Sequence, residues 1–260
     1  MPRSIPNETP TYAHSAIDFN QGYYRQKEER SNFPGGEDLL ANIEDCKSII
    51  REKPDFRCVI YDCDGVLFDS LESNRKLYND FCLQFGRPPL TDEELRFVHT
   101  HTVFEALHFI LRHDLQQEKA ALDFWKQIDI TAYLDYLKME PHLLETLDFL
   151  KDHGIIRAIC TSRSTTMKRI MEKFHLWSYF DMVVTALDVK NPKPHPEAID
   201  KIIEAFHLDR KKTIMVGDSS SDQQAAESAG IFFAAYKNKE IAGDFFIDDH
   251  RRLIEVLSSP

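Results

Sequence analysis

From residue 141 onward the chain alternates short apolar runs with helical segments, and this alternation constrains the fold more than any other feature. Helical spacing over 143–150 closes at Gly154, and an apolar run follows over 155–160. Residues 165–174 are helical in pattern, 182–185 form a short apolar run, and 196–206 are helical again. The run 213–216 stops at Gly217-Asp218, 222–229 is helical, and 231–235 is apolar. One more apolar run lies upstream, over 57–61, and stops at Asp62. Runs this short, apolar on both faces, suit strands buried in a parallel sheet. Strands alternating with helices join by right-handed crossovers, so the pattern predicts an α/β protein.

Between the first apolar run and the others the pattern is helical, from Leu71 to Met139. Tyr78, Phe81, Cys82 and Phe85 share one face, and Gly86 followed by Pro88 ends that helix. Thr91-Asp-Glu-Glu94 has the spacing of a capping box. Leu107, Ile110 and Leu111 form a second stripe, and Leu122, Trp125 and Ile128 a third. The chain therefore divides into a polar N-terminal extension over 1–36, an amphipathic helix over 37–53, a core of 54–70 with 141–260, and an inserted helical block over 71–140. The 37–53 helix, with Leu39, Ile43, Cys46 and Ile50 on one face, suits docking on the core or a dimer contact.

Composition narrows the function classes. The 260 residues carry a formal net charge of −11, which repels phosphate backbones, so nucleic acid is not an expected partner. With 42% hydrophobic residues the chain can build a core. No segment approaches the ~20 apolar residues that span a bilayer, and 1–41 contains no signal-type apolar run. The five cysteines form no Cys-x-x-Cys pair. These features predict a reduced cytoplasmic protein, monomer or homodimer, with no membrane contact.

Three of the apolar runs end in polar clusters: Asp62-Cys-Asp64-Gly65, Thr161-Ser162-Arg163 and Gly217-Asp218-Ser-Ser-Ser-Asp222. Ligands of an open parallel sheet bind beyond the carboxyl ends of its strands. Carboxylates from separate parts of the chain would converge there, and like charges at such range need a cation. Oxygen ligands select a hard one, most simply Mg²⁺.

Asp62-Cys-Asp64-Gly-Val-Leu-Phe-Asp-Ser70 resembles the first motif of the haloacid dehalogenase-like (HAD) superfamily along its whole length. Thr161 matches the second motif, Asn191-Pro-Lys193-Pro-His-Pro196 the third, and Gly217-Asp218-Ser219-x-x-Asp222 the fourth, in the right order. The insert resembles the cap of the phosphoglycolate phosphatase and β-phosphoglucomutase branch. The resemblance implies a Rossmann-like parallel sheet core with an inserted helical cap domain. It also implies a Mg²⁺-dependent phosphatase acting on a small phosphorylated metabolite through an aspartyl-phosphate. In that reading Asp62 is the nucleophile and Asp64 the acid and base. Thr161, Ser162 and Lys193 bind phosphate. Asp62, Asp64 (by its carbonyl) and Asp218 hold the metal. Asp222 is a metal ligand or lies behind one, or else N-caps the 222–229 helix.

Two other activities fit the same motifs: a sugar-phosphate mutase, or a catalytically silent metabolite-binding protein. The second aspartate of the first motif argues against dehalogenation, since a halide needs no proton. His99 and His101, expected on a connection between helices of the insert, are candidates for substrate recognition. Arg163 could touch phosphate or substrate, or be solvated. Cys63 should point away from its acidic neighbours into the sheet. Asp69 and Ser70 suit the start of the first inserted helix.

Overall fold

The computed structural model describes residues 55–258 apart from 101, 102 and 113. The 1–36 extension, the 37–53 helix with Cys46, and His101 and His113 therefore lie outside the described residues. In chain order come β1 (Cys58–Tyr61), β2 (Phe68–Asp69), α1 (Leu71–Gln84), α2 (Asp92–Thr100), α3 (Val103–Ile110), α4 (Leu115–Trp125) and β3 (Lys138–Met139). Then come α5 (Leu143–Asp152), β4 (Ile156–Cys160), α6 (Met167–Lys173), β5 (Met182–Val184) and α7 (Glu197–Phe206). The chain closes with β6 (Thr213–Gly217), α8 (Ser220–Ala229), β7 (Phe232–Tyr236), β8 (Phe245–Ile247) and α9 (His250–Ser258).

Six strands form one parallel sheet in the order β5-β4-β1-β6-β7-β8. Side chains alternate across a strand, so β1 feeds two apolar layers at once. Val59 and Tyr61 join one layer, built with Leu143, Leu147 and Leu150 of α5, Ile170 of α6 and Leu253 of α9. Cys58 and Ile60 join the other, with Ile199 and Ile202 of α7 and Ala225 and Ala226 of α8. Each fully buried aliphatic side chain contributes about 1.5–3 kcal/mol. Cys58, Cys63, Cys82 and Cys160 are free thiols, all buried, and Cys63 packs in the first layer as its alternation predicted.

The register sets the site. Tyr61, the last residue of β1, lies opposite Ile159 and Val216. Asp62 then donates its N–H to the Val216 carbonyl (3.0 Å), and Thr161 donates its own to Val184 (3.0 Å). Asp62, Thr161 and Asp218 thus leave three neighbouring strands at the same edge.

The inserted helices have a separate apolar cluster that includes Leu77, Tyr78, Phe81, Leu95, Val98, Leu107 and Tyr133. Thr91 and Glu94 form the expected capping box, with Thr91 N–H on Glu94 Oε2 (2.8 Å) and Glu94 N–H on Thr91 Oγ1 (3.2 Å). Helix does not run on to Met139. After α4 the chain makes a 3₁₀ segment, Ile130–Tyr136, started by Asp129, whose carboxylate accepts from the Thr131 N–H (3.1 Å). It then returns as β3, which pairs antiparallel with β2, Phe68 opposite Met139. A two-residue strand carries no periodicity, which is why sequence pattern reads β3 as the end of the helical block. Strand β8 and helix α9, beyond the last apolar run identified above, complete the sheet edge and one helical layer.

Candidate active site

Lys193 is the centre of the site. Its ammonium donates to Asp62 Oδ1 (2.8 Å), Asp222 Oδ1 (2.5 Å) and the Cys160 carbonyl (3.0 Å). Its side chain is 3% exposed. Burial works against the charged amine, but Asp222 and Asp62 more than reverse that and hold its pKa well above the ordinary lysine value.

Asp222 is fully buried in the first turn of α8. It does not N-cap that helix. Ser219 does, and Asp222 is the third-position partner of its capping box: Ser219 N–H donates to Asp222 Oδ2 (3.1 Å), as does Ser219 Oγ (2.6 Å). Both Asp222 oxygens are thus engaged, one by Ser219 and one by Lys193. Its carboxylate holds Lys193 against Asp62.

Oxygens of Asp62, Asp218 and Asp222 lie within 4.8 Å of one another. Burial, with the charges of Asp222 and Asp64, pushes the Asp62 carboxyl up to about 7 although Lys193 opposes it. Burial, then the charges of Asp62 and Asp222, pushes Asp218 up to about 8. The cluster is short of positive charge. Gly65 adds a geometric sign of the same kind. A Cβ there would stand 1.9 Å from Asp218 Oδ2, so the absence of a side chain lets Asp218 lean across the first motif. Asn238 fixes that loop by donating to the Asp218 carbonyl (2.8 Å).

Asp64 faces a second cation. Arg163 Nε donates to its Oδ2 and Nη2 to its Oδ1, both at 2.6 Å. Burial would raise Asp64, but the Arg163 charge and hydrogen bonds override it and hold the carboxyl below the usual range. Arg163 is therefore not the solvated side chain that its sequence context allowed. Thr161 is buried, and its Oγ1 accepts the Arg163 N–H (3.1 Å); Ser162 beside it is exposed.

His99 lies in the last turn of α2, not on a connection, because helical geometry continues to Thr100. Asn74 Nδ2 of α1 is 2.9 Å from its Nδ1. Burial lowers its pKa, and the charges of Asp64 and Asp69 oppose that. Asp69 Oδ1 accepts the Leu71 N–H (3.0 Å) at the start of α1, while buried Ser70 makes no side-chain cap bond. His195 stays in the loop, its Nδ1 accepting the Glu197 N–H (3.2 Å).

Two acidic residues two positions apart at a strand end, a hydroxyl on the next strand and a buried ammonium are the parts of a phosphoryl-transfer site. The family model described as haloacid dehalogenase-like hydrolase matches residues 59–236, which include all of them. The chain belongs to the haloacid dehalogenase-like hydrolases.

Similarity to individual members agrees with this. The phosphorylated carbohydrates phosphatase of Thermotoga maritima is 31% identical over 179 residues, 66% of this chain and 81% of that protein. Phosphoglycolate phosphatase 1 of Pseudomonas aeruginosa is 27% identical over 190 residues, 69% of this chain and 68% of that protein. A crystal structure of a subfamily IA HAD hydrolase from Geobacter sulfurreducens superposes with a TM-score of 0.70 at 36% identity, covering 79% of this chain and 98% of that one. Among the described residues of this hydrolase, no helix is long and apolar enough to cross a membrane.

Sequence reasoning missed Ser219, Asn74 and Asn238. Ser219-x-x-Asp222 has capping-box spacing, and that signal could have assigned both residues. Asn74 and Asn238 carry none, since each meets its partner only through the tertiary fold.

Proposed function

We propose that this hydrolase is a Mg²⁺-dependent phosphatase that acts on a small phosphorylated metabolite through an aspartyl-phosphate. The observation that carries the reading is the triple contact of Lys193, which fixes the Asp62 carboxylate at the edge where three strands deliver their polar ends. Asp62 attacks phosphorus; its O–P bond forms as the bond to the leaving oxygen breaks. Asp64, two residues on, gives a proton to that oxygen and then takes one from the water that opens the intermediate. Thr161 and Ser162 hold phosphoryl oxygens, and Lys193 balances charge on the nucleophile and the phosphoryl group.

The residues fit a hard cation, because the raised carboxyls of Asp62 and Asp218 mark uncompensated negative charge. Asp62, Asp218 and the Asp64 carbonyl would hold Mg²⁺, with Asp222 behind them. When bound, Mg²⁺ neutralises negative charge around the phosphoryl group. Residues 71–140 act as a cap, and His99, with His101, contributes to substrate recognition. Relatives named for phosphorylated carbohydrates and phosphoglycolate support a small phosphomonoester.

Inorganic phosphate release tests this. Activity should vanish with EDTA and return with Mg²⁺ but not Ca²⁺, whose looser shell disturbs in-line geometry. Asp62→Asn should stay folded and lose at least about a thousandfold in kcat. Full activity in chelator, or more than about a few per cent of the wild-type rate in folded Asp62→Asn, would refute the mechanism.

A further inference from the structure

The insert carries a polar contact that its apolar cluster does not require. Asn74 and His99 stand on different helices, α1 and α2, with Asn74 Nδ2 2.9 Å from His99 Nδ1. An amide nitrogen can only donate, so Nδ1 must accept, and a ring nitrogen accepts only when it carries no proton. In this arrangement the half-buried ring is neutral and its one proton sits on Nε2. Burial, which lowers the pKa of the ring, favours the same state. Nε2 makes no hydrogen bond among the described residues, so it is the atom left for a ligand. The pair stands beside the first motif. Asn74 lies in the first turn of α1, with its N–H on the carbonyl of Ser70 (2.9 Å), the residue that closes that motif. One helical turn, about 5.4 Å, separates the two. After burial, the charges that act most on the ring are those of Asp64 and Asp69.

We infer that Asn74 is a positioning residue that fixes His99 in its Nε2–H tautomer, so that the insert offers the substrate a neutral hydrogen-bond donor. The inference rests on the phosphatase reading and adds what the donor selects: a phosphomonoester whose leaving group carries an uncharged oxygen acceptor, such as a carbonyl. An analogue without that oxygen leaves the donor unpaired once water is excluded, which costs more than the loss of an apolar contact. The opposite tautomer would present a bare lone pair at Nε2, and a carbonyl could not pair with it.

Two measurements on the full chain test this. The first is the nitrogen NMR spectrum of the histidine rings at mildly alkaline pH, with the His99 signals identified by their loss in His99→Ala. Nδ1 should show the shift of a bare ring nitrogen and Nε2 that of a protonated one. Asn74→Asp, whose carboxylate accepts but cannot donate, should move the proton to Nδ1. The second is competition against p-nitrophenyl phosphate hydrolysis with Mg²⁺ in excess. Hydroxyacetone phosphate has a carbonyl where propyl phosphate has a methylene, and in the wild type it should inhibit at least about tenfold better. Asn74→Asp and His99→Ala should each bring that ratio close to one, and combining them should change it no further, because Asn74 acts through His99. A proton on Nδ1 in the wild type would overturn the inference, since the amide would then face the ring with its oxygen. Equal inhibition by the two competitors, or a ratio that survives Asn74→Asp, would overturn it too. The wild-type spectrum and ratio stand without any variant. Absence of Mg²⁺-dependent hydrolysis of the aryl phosphate would instead defeat the phosphatase reading, and the spectrum would still decide the tautomer.

Discussion

His250 is wholly buried at the start of α9, its Nε2 2.8 Å from the Val66 carbonyl and its ring stacked on Tyr236 at 4.8 Å. Burial is the main reason that its pKa is pushed down to about 4. A histidine that folds neutral contributes stability that is present above its unfolded pKa, near 6.5, and is lost as pH falls toward the folded value, because the unfolded chain then binds the extra proton. Between pH 7 and pH 5 this one residue should cost about 2 kcal/mol. Urea unfolding at both pH values checks it: His250→Gln, which can still donate to Val66, should lose less stability over that interval than the wild type. An equal loss in both would assign the acid sensitivity elsewhere. Nothing in the sequence marks this residue, since its chemistry comes from a carbonyl 184 positions away. Asp62, Asp64, Thr161, Lys193 and Asp218 were legible because each follows an apolar run or sits in a proline-rich loop. Arg163 and Asp222 were legible as members of the site but not in their contacts, because the partners lie 99 and 29 residues off.

At the scale of elements, what the sequence showed depended on length. Four- and five-residue strands such as β1 and β4, with helices such as α7, declare themselves by apolar runs and stripes. Strands β2 and β3 have two residues each and exist only because they pair with one another. The turn that follows β1 contains the most constrained backbone position of the site. Gly65 has φ +70°, and a Cβ there would meet Asp218 Oδ2 at 1.9 Å and its Cγ at 2.6 Å. Gly86, at the end of the first inserted helix, has φ +65° with nothing within 4 Å of an added Cβ. The two glycines separate backbone strain from clash. Gly86→Ala should cost about 1 kcal/mol of stability and leave turnover nearly intact. Gly65→Ala carries the same strain and also displaces Asp218, so it should lower kcat at least about a hundredfold and raise the Mg²⁺ concentration for half-maximal rate. Thermal melts with Mg²⁺ titrations of both variants measure this; matching losses would mean that strain alone governs the turn.

On the scale of the whole molecule, the apolar residues divide into three clusters, two set by the alternation of side chains across the sheet and one by the inserted helices. Two of them lie on opposite faces of the sheet and share its strands, so they cannot be lost separately. The third belongs to the insert, with Phe81 ringed by Phe124 at 5.1 Å, Trp125 at 5.5 Å and Phe85 at 6.3 Å. The insert meets the sheet layers through the β2–β3 pair, the bond from the Glu140 N–H to the Leu67 carbonyl (3.0 Å), Leu134 and Leu137 in the first apolar layer, and the bond from Arg169 Nη1 of α6 to Thr131 Oγ1 (2.7 Å). Glu140 is itself anchored, accepting from Tyr236 Oη (3.0 Å) and Lys237 Nζ (2.5 Å) at the end of β7. Cooperativity in such a molecule should be uneven, because a defect in one cluster spreads only as far as its apolar contacts reach. Phe81→Ala removes a fully buried ring and should cost the insert about 3–5 kcal/mol. Native-state hydrogen exchange is the measurement. Amides of α1, α3 and α4 should exchange at least about a hundredfold faster in the variant, while those of β1, β4 and β6 keep their protection. Acceleration spread equally over helices and sheet would show that insert and core open as one unit.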